Sequence, residues 1–190
     1  ATILKEHATL KSLCGNKGDE TALDMSGKDM GPDGAIMLAP EIVANRAISN
    51  VNILSNDISA EQANELIKIM AAKPNLKTLC GFSGDETELD LSKKGLTTGC
   101  ALLVANEVKN NGALTSLNMS KNAMLTKEAG KALGDMLKAN SVLKELDVSS
   151  NYNYSAGSTD GAGFASGIAD GVSTNGALTS LNMDNNMLNT

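Results

Sequence analysis

Two stretches of this sequence, 66 residues apart, are nearly the same. Leu10 to Met30 reads LKSLCGNKGDETALDMSGKDM, and Leu76 to Leu96 reads LKTLCGFSGDETELDLSKKGL. A match of that length implies duplication of a block, and a duplicated block constrains the fold before any other feature does. A shorter unit lies inside it: apolar-x-apolar followed by a polar turn. Its instances are Leu23-Asp24-Met25, Val51-Asn52-Ile53, Leu89-Asp90-Leu91, Leu117-Asn118-Met119, Leu146-Asp147-Val148 and Leu181-Asn182-Met183. Repeats therefore start near residues 10, 48, 76, 114, 143 and 178. In the first and third, ten extra residues carrying Cys-Gly and Gly-Asp-Glu-Thr separate the opening leucine from the triplet.

Alternation over three to five residues predicts a short strand. Between strands the period becomes helical. Ser59 to Ala72 opens with a capping box, Ser59 and Gln62, and places Ala63, Leu66, Ile67 and Met70 on one face. Thr126 to Ala139 repeats the design. Thr97 to Asn110 and Pro32 to Asn45 are equivalent, with a kink expected at Pro40. Asp160 to Ser173 is the weakest helix, because Gly161, Gly163, Gly167 and Gly171 each cost helix stability. Thr2 to Leu13 reads as a capping helix within residues 1–13. One strand and one helix per repeat, stacked side by side, predict a single α/β domain over 1–190. About six short strands would pair in parallel along the inside of a curved solenoid, with helices outside. Aromatic residues are only 2% of the chain, so the core must be Leu, Ile, Val, Met and Ala.

The segment LTSLNMSKN at 114–122, with the helix after it, resembles the ribonuclease-inhibitor-like class of leucine-rich repeats. That class includes the Ran GTPase-activating protein and the sensor regions of nucleotide-binding immune receptors. The resemblance runs from Leu10 onward. It implies a fold and leaves the partner open, because such folds serve many partners.

Strand side chains alternate between core and solvent. The positions between and beside the apolar pairs would thus line the concave face. Among these eighteen positions six are carboxylates, Asp24, Glu88, Asp90, Glu145, Asp147 and Asp184, and none is Lys, Arg or His. The central row reads Asp24, Asn52, Asp90, Asn118, Asp147, Asn182. These nine residues are the candidate partner-binding set. Two readings stay open: an acidic face for a protein with a basic surface, or a repeat consensus that keeps the strand soluble. The Gly-Asp-Glu-Thr loops at 18–21 and 84–87 read either as paired carboxylates for a partner or a hard cation, or, the favoured reading, as polar turns that glycine permits and Asp and Glu keep solvated.

The net charge of −6 and pI of 4.8, with no basic stripe, argue against nucleic acid as a partner. Cys14, Cys80 and Cys100 are too few and too scattered for a disulfide framework, which predicts free thiols and an intracellular, reducing compartment. No apolar stretch reaches membrane-spanning length, and no signal-peptide pattern opens the chain. His7 is the only histidine and no CxxC exists, so neither a metal site nor another cofactor is expected, and no Ser-His-Asp or Cys-His set can be assembled. Arg46, the only arginine, lies in a helix-to-strand loop where sister repeats carry Gly112 and Gly176. The arginine-dependent activity of the Ran GTPase-activating protein is therefore not carried over. Expected is a non-catalytic binding or scaffolding module. The alternatives are a structural subunit of a larger assembly and a GTPase regulator. The final repeat lacks its helix, which predicts that further repeats or another chain cover this end.

Overall fold

The computed structural model describes residues 12–152 and 160–187. Among the described residues, six three-residue strands alternate with five helices: β1 Ala22–Asp24, α1 Gly31–Ala44, β2 Asn50–Asn52, α2 Ala60–Ala72, β3 Glu88–Asp90, α3 Thr98–Val108, β4 Ser116–Asn118, α4 Lys127–Ala139, β5 Glu145–Asp147, α5 Gly161–Val172 and β6 Ser180–Asn182. Successive strands pair in parallel and in register, residue for residue, except β2 with β3. Leu89, Leu117, Leu146 and Leu181 stand in one row.

The core lies between strands and helices. Val51, Leu117 and Leu146 meet Leu66, Leu103, Leu133 and Ile168 there, each at most 2% exposed. Helix starts follow local chemistry. Ser59 and Gln62 form the expected capping box, and Thr126 accepts from the Ala129 N–H. Asp160 caps α5 through the Gly163 N–H. α1 runs on through Pro40. Past each strand the chain reverses at a left-handed residue in the same place: Gly27, Ser55, Lys93, Lys121, Ser150 and Asn185, with φ between 54° and 60°. One turn is thus used six times, although only the first instance is glycine.

Asparagine holds these turns together. Asn56, Asn122, Asn151 and Asn186 are at most 2% exposed. The Asn122 amide donates to the Leu91, Met119 and Ser120 carbonyls, and its oxygen accepts from the Lys94 and Leu96 N–H groups. A second series, Asn45, Asn111, Asn140 and Asn175, closes the helix-to-strand turns. Asn140 accepts from Val142 and Leu143 and donates to the Val108 and Asn111 carbonyls of the preceding repeat. No buried side-chain N or O among the described residues lacks a partner, as a buried polar group requires.

Two expectations need correction. The strands form two sheets, β1-β2 and β3-β4-β5-β6, rather than one run of six. The cause is the inserted segment. Thr78 to Cys80 lies along β2, giving carbonyls to the Val51 and Ile53 N–H groups. The Leu79 and Cys80 amides then point onward, but the Glu107 carboxylate of α3 takes both, at 2.6 and 3.1 Å. No strand can continue a ladder whose donors are occupied. Likewise Ser12 and Leu13 are not helical. The Leu13 and Cys14 amides are held by Glu41 of α1, and Ser12 Oγ accepts from the Cys14 and Asn16 N–H groups. The rest of the expected capping helix, His7 included, lies outside the described residues.

Candidate functional site

The residues singled out from sequence sit on the strand face turned away from the helices. Register sets them in rows. Asp24 faces Asn52 across β1 and β2, and Asp90, Asn118, Asp147 and Asn182 stand side by side across β3 to β6. Glu88, Ser116, Glu145 and Ser180 form a parallel row one turn of the pleat earlier. Asp24, Glu88, Asp90, Glu145 and Asp184 are exposed, while Asn52, Asn118, Asp147 and Asn182 are half-buried. The structure therefore gathers the strand β3–β6 members on one continuous surface. Asp24 and Asn52 lie on the other sheet.

Each central side chain performs the same local task. Asp24 Oδ1 accepts from the Ser26 N–H, Asn52 from Leu54, Asp90 from Ser92, Asn118 from Ser120, Asp147 from Ser149 and Asn182 from Asp184, at 2.8 to 3.2 Å. This side-chain turn leads the chain out of the strand. The Ser26 hydroxyl and amide hold the Asp24 carboxyl below its ordinary range, and the Ser92 amide does the same for Asp90. Hydrogen bonding to the charged form favours ionisation, so both carry full charge at neutral pH.

The inserted segments build something the sequence did not reveal. In Leu13-Cys14 and Leu79-Cys80 alike, adjacent amides converge on one carboxylate, Glu41 or Glu107, itself 66 residues apart in the chain. Burial pushes the Glu107 carboxyl above its ordinary value despite these donors. Burial, with Glu41 nearby, raises the Cys14 thiol to about 11, and burial beside Glu107 raises Cys80 well above the usual thiol range. Both thiols are thus protonated at neutral pH and poor nucleophiles. All three cysteines are free. The duplicated Glu41 and Glu107 were the detectable signal, since each follows its Leu-Cys pair by the same distance. Between the two sheets a cleft of about 280 Å³ opens, walled by Asn52, Leu54, Cys80, Phe82, Leu91 and Leu96.

Among the described residues, no group of three or more His, Cys, Asp or Glu is placed to hold a metal ion. None of the helices among them is long and apolar enough to cross a membrane. Arg46 lies past the end of α1, exposed, and its carbonyl accepts from Asn75. The Gly-Asp-Glu-Thr loops close on themselves: Glu20 accepts from the Lys17 and Gly18 amides and Glu86 from Ser83 and Gly84. These bonds lower the Glu20 carboxyl pKa.

No protein-family model matches the chain, and no curated protein matches it either. Among solved structures it is similar to one titled Leiomodin-1 Actin-Binding Site 2 (ABS2). The two share 15% identity over 88% of this chain and 72% of that one, with a TM-score of 0.40. A likeness at that level carries no function across.

Proposed function

We propose that this chain is a curved leucine-rich-repeat solenoid of the ribonuclease-inhibitor-like class that works by binding rather than catalysis. It presents the carboxylates of its concave strand face to a protein with a basic surface. The observation that supports this reading is the in-register row from β3 to β6, where Glu88, Asp90, Glu145 and Asp147 share one surface with only Ser and Asn between them. Charges of one sign on one face steer association of an oppositely charged partner, and salt screens the effect.

The test begins with affinity capture from native extract and mass-spectrometric identification. Association kinetics of the recovered basic protein are then measured against wild type and Glu88→Lys/Glu145→Lys across a salt series. The double variant is expected to associate more slowly and to lose most of the salt dependence. Unchanged affinity together with unchanged salt dependence refutes the acidic-face reading.

A further inference from the structure

The turns that follow the strands hand two main-chain N–H groups to the next repeat. The left-handed residue donates to a carbonyl: Gly27 to Leu54, Lys93 to Ser120, Lys121 to Ser149 and Ser150 to Asp184, at 2.7 to 3.1 Å. The residue after it donates to the next asparagine side chain. Lys28 gives to Asn56, Lys94 to Asn122, Asn122 to Asn151 and Asn151 to Asn186, at 2.7 to 3.0 Å.

The turn at Ser55 and Asn56 breaks this rule. The inserted segment follows β2 only as far as Ile53, whose N–H donates to the Leu79 carbonyl. The repeat beyond carries Lys94 at the position that Asn56, Asn122, Asn151 and Asn186 hold in theirs. Among the described residues, neither the Ser55 nor the Asn56 main-chain N–H has an acceptor. Asn56 is 2% exposed, and its other polar groups are all paired. Its side-chain amide donates to the Met25 and Ile53 carbonyls, and its Oδ1 accepts from the Lys28 and Met30 N–H groups. Its carbonyl accepts from the Ile58 N–H and the Cys100 thiol. A main-chain donor so enclosed normally has a partner. Where the sister turns face the next repeat, this one faces the cleft of about 280 Å³ between the sheets, which Ser55 and Lys94 line together with Leu54, Phe82, Leu91 and Leu96. Lys94 is the only charged side chain on those walls, and its ammonium makes no hydrogen bond or ion pair among the described residues. Asp90 feels that charge from the strand face but does not line the cleft.

We infer that this cleft binds a small organic monocarboxylate. Its two oxygens accept from the Ser55 and Asn56 N–H groups, taking the parts that a carbonyl and an asparagine Oδ1 play at the sister turns. Consecutive N–H groups of a turn form a concavity suited to an anion, and hydrogen bonds to an ionised acceptor are the strong ones. Lys94 neutralises the charge, and the apolar tail lies against Leu54, Phe82, Leu91 and Leu96. These walls disfavour inorganic phosphate, whose remaining oxygens they cannot solvate. The volume stands at the small end of ligand cavities, which selects a short chain. A free molecule is the source rather than an acidic side chain of another protein, because Glu88 and Asp90 on the adjoining strand face repel an acidic protein surface.

Nitrogen-15 correlation spectra of the 190-residue chain, titrated with sodium butyrate at constant ionic strength, test this. The Ser55 and Asn56 amide resonances should move downfield and saturate. Those of Lys121 and Asn122, whose N–H groups are already taken by Ser149 and Asn151, should stay in place. Butyramide, inorganic phosphate and an end-blocked Gly-Glu-Gly peptide should each leave Ser55 and Asn56 nearly unmoved. Lys94→Gln, at an exposed residue, should weaken butyrate binding about tenfold. Ser55 and Asn56 resonances that do not respond to butyrate, or that drift without saturating, overturn the inference. Butyramide as effective as butyrate removes the role of charge, and unchanged affinity in Lys94→Gln removes that of Lys94; either overturns it as well. Equal binding of phosphate makes the site one for oxyanions in general, and equal binding of the peptide assigns it to an acidic side chain, so each of these also overturns the proposal.

Discussion

Replacing Gly134 by alanine should destabilise the protein even though alanine is the better helix former. Gly134 lies on the face of α4 that meets α5, and a Cβ built there would stand 2.0 Å from the Gly167 carbonyl oxygen and 2.9 Å from its carbonyl carbon. The obstruction is backbone, which cannot swing aside. Ordinary contact begins at 3.4 Å, so the helices must part by more than an ångström. Parting them loosens Phe164 and Ile168, both fully buried in α5. Overpacking of this kind costs about 1–3 kcal/mol, while exchanging glycine for alanine inside a helix returns roughly 1 kcal/mol. Because the opposing group is rigid, the upper part of that range applies, and a net loss of about 1–2 kcal/mol follows. Equilibrium urea unfolding monitored by far-UV circular dichroism measures it. Gly176→Ala is the control: its Cβ meets nothing within 4 Å and its backbone is not left-handed, so its stability should change by no more than about 0.5 kcal/mol, as at other unconstrained surface sites. A Gly134→Ala protein as stable as wild type would mean that α4 and α5 are not in backbone contact.

Two further outcomes follow from the same packing. Leu117→Ala, at a residue 1% exposed in the centre of the ladder, should cost about 2–5 kcal/mol; a loss below about 0.5 kcal/mol, typical of surface sites, contradicts the strand register. Glu107 has a folded-state pKa above its ordinary value. Its contribution is therefore fully favourable below the unfolded pKa and is lost as pH rises through the folded one. The stability of wild type relative to Glu107→Gln should accordingly fall as pH rises above the ordinary glutamate range of about pH 4, and two parallel stability curves would refute the assignment.

The strand triplets, the helix caps and the repeat spacing could be read from sequence because each rests on a local pattern. Ser59 with Gln62 dictates its own capping box, and Leu-x-Leu dictates which side chains turn inward. What could not be read depends on pairs of residues brought together by stacking. Gly167 and Gly171 look like liabilities in α5 when that helix is considered alone. Against Gly130 and Gly134 of α4 they permit backbone contact that any side chain would block. The division into two sheets is hidden for a similar reason. Nothing in LKTLCGFSGDET says that its amides will be capped by Glu107, 28 residues beyond Leu79. Buried asparagines are equally silent, since an Asn in a turn reads as solvated until a neighbouring repeat closes over it.

The central row of the strand face separates what the fold requires from what it leaves free. Every repeat needs a side-chain oxygen at that position to accept from the amide two residues on, and Asp and Asn supply one equally well. The turn thus explains the residue types and not the charges. The ladder explains part of the remainder. Like charges directly opposed on neighbouring strands repel, and Asp90, Asn118, Asp147 and Asn182 alternate so that no two carboxylates of the row are adjacent. The Asn182 amide even donates to Asp147 at 3.1 Å. Carboxylates two strands apart are separated by roughly 9–10 Å, about the screening length at 0.1 M salt, so this pattern holds many charges at small mutual cost. Neither argument reaches Glu88, Glu145 or Asp184. Glu145 accepts only from the Ser116 hydroxyl at 3.3 Å, and the Glu88 and Asp184 carboxylates make no hydrogen bond among the described residues. On the proposed acidic-face reading, charge that the fold neither needs nor compensates is the charge available to a partner, and reversing it at Glu88 and Glu145 should slow association while leaving the turns and the ladder intact.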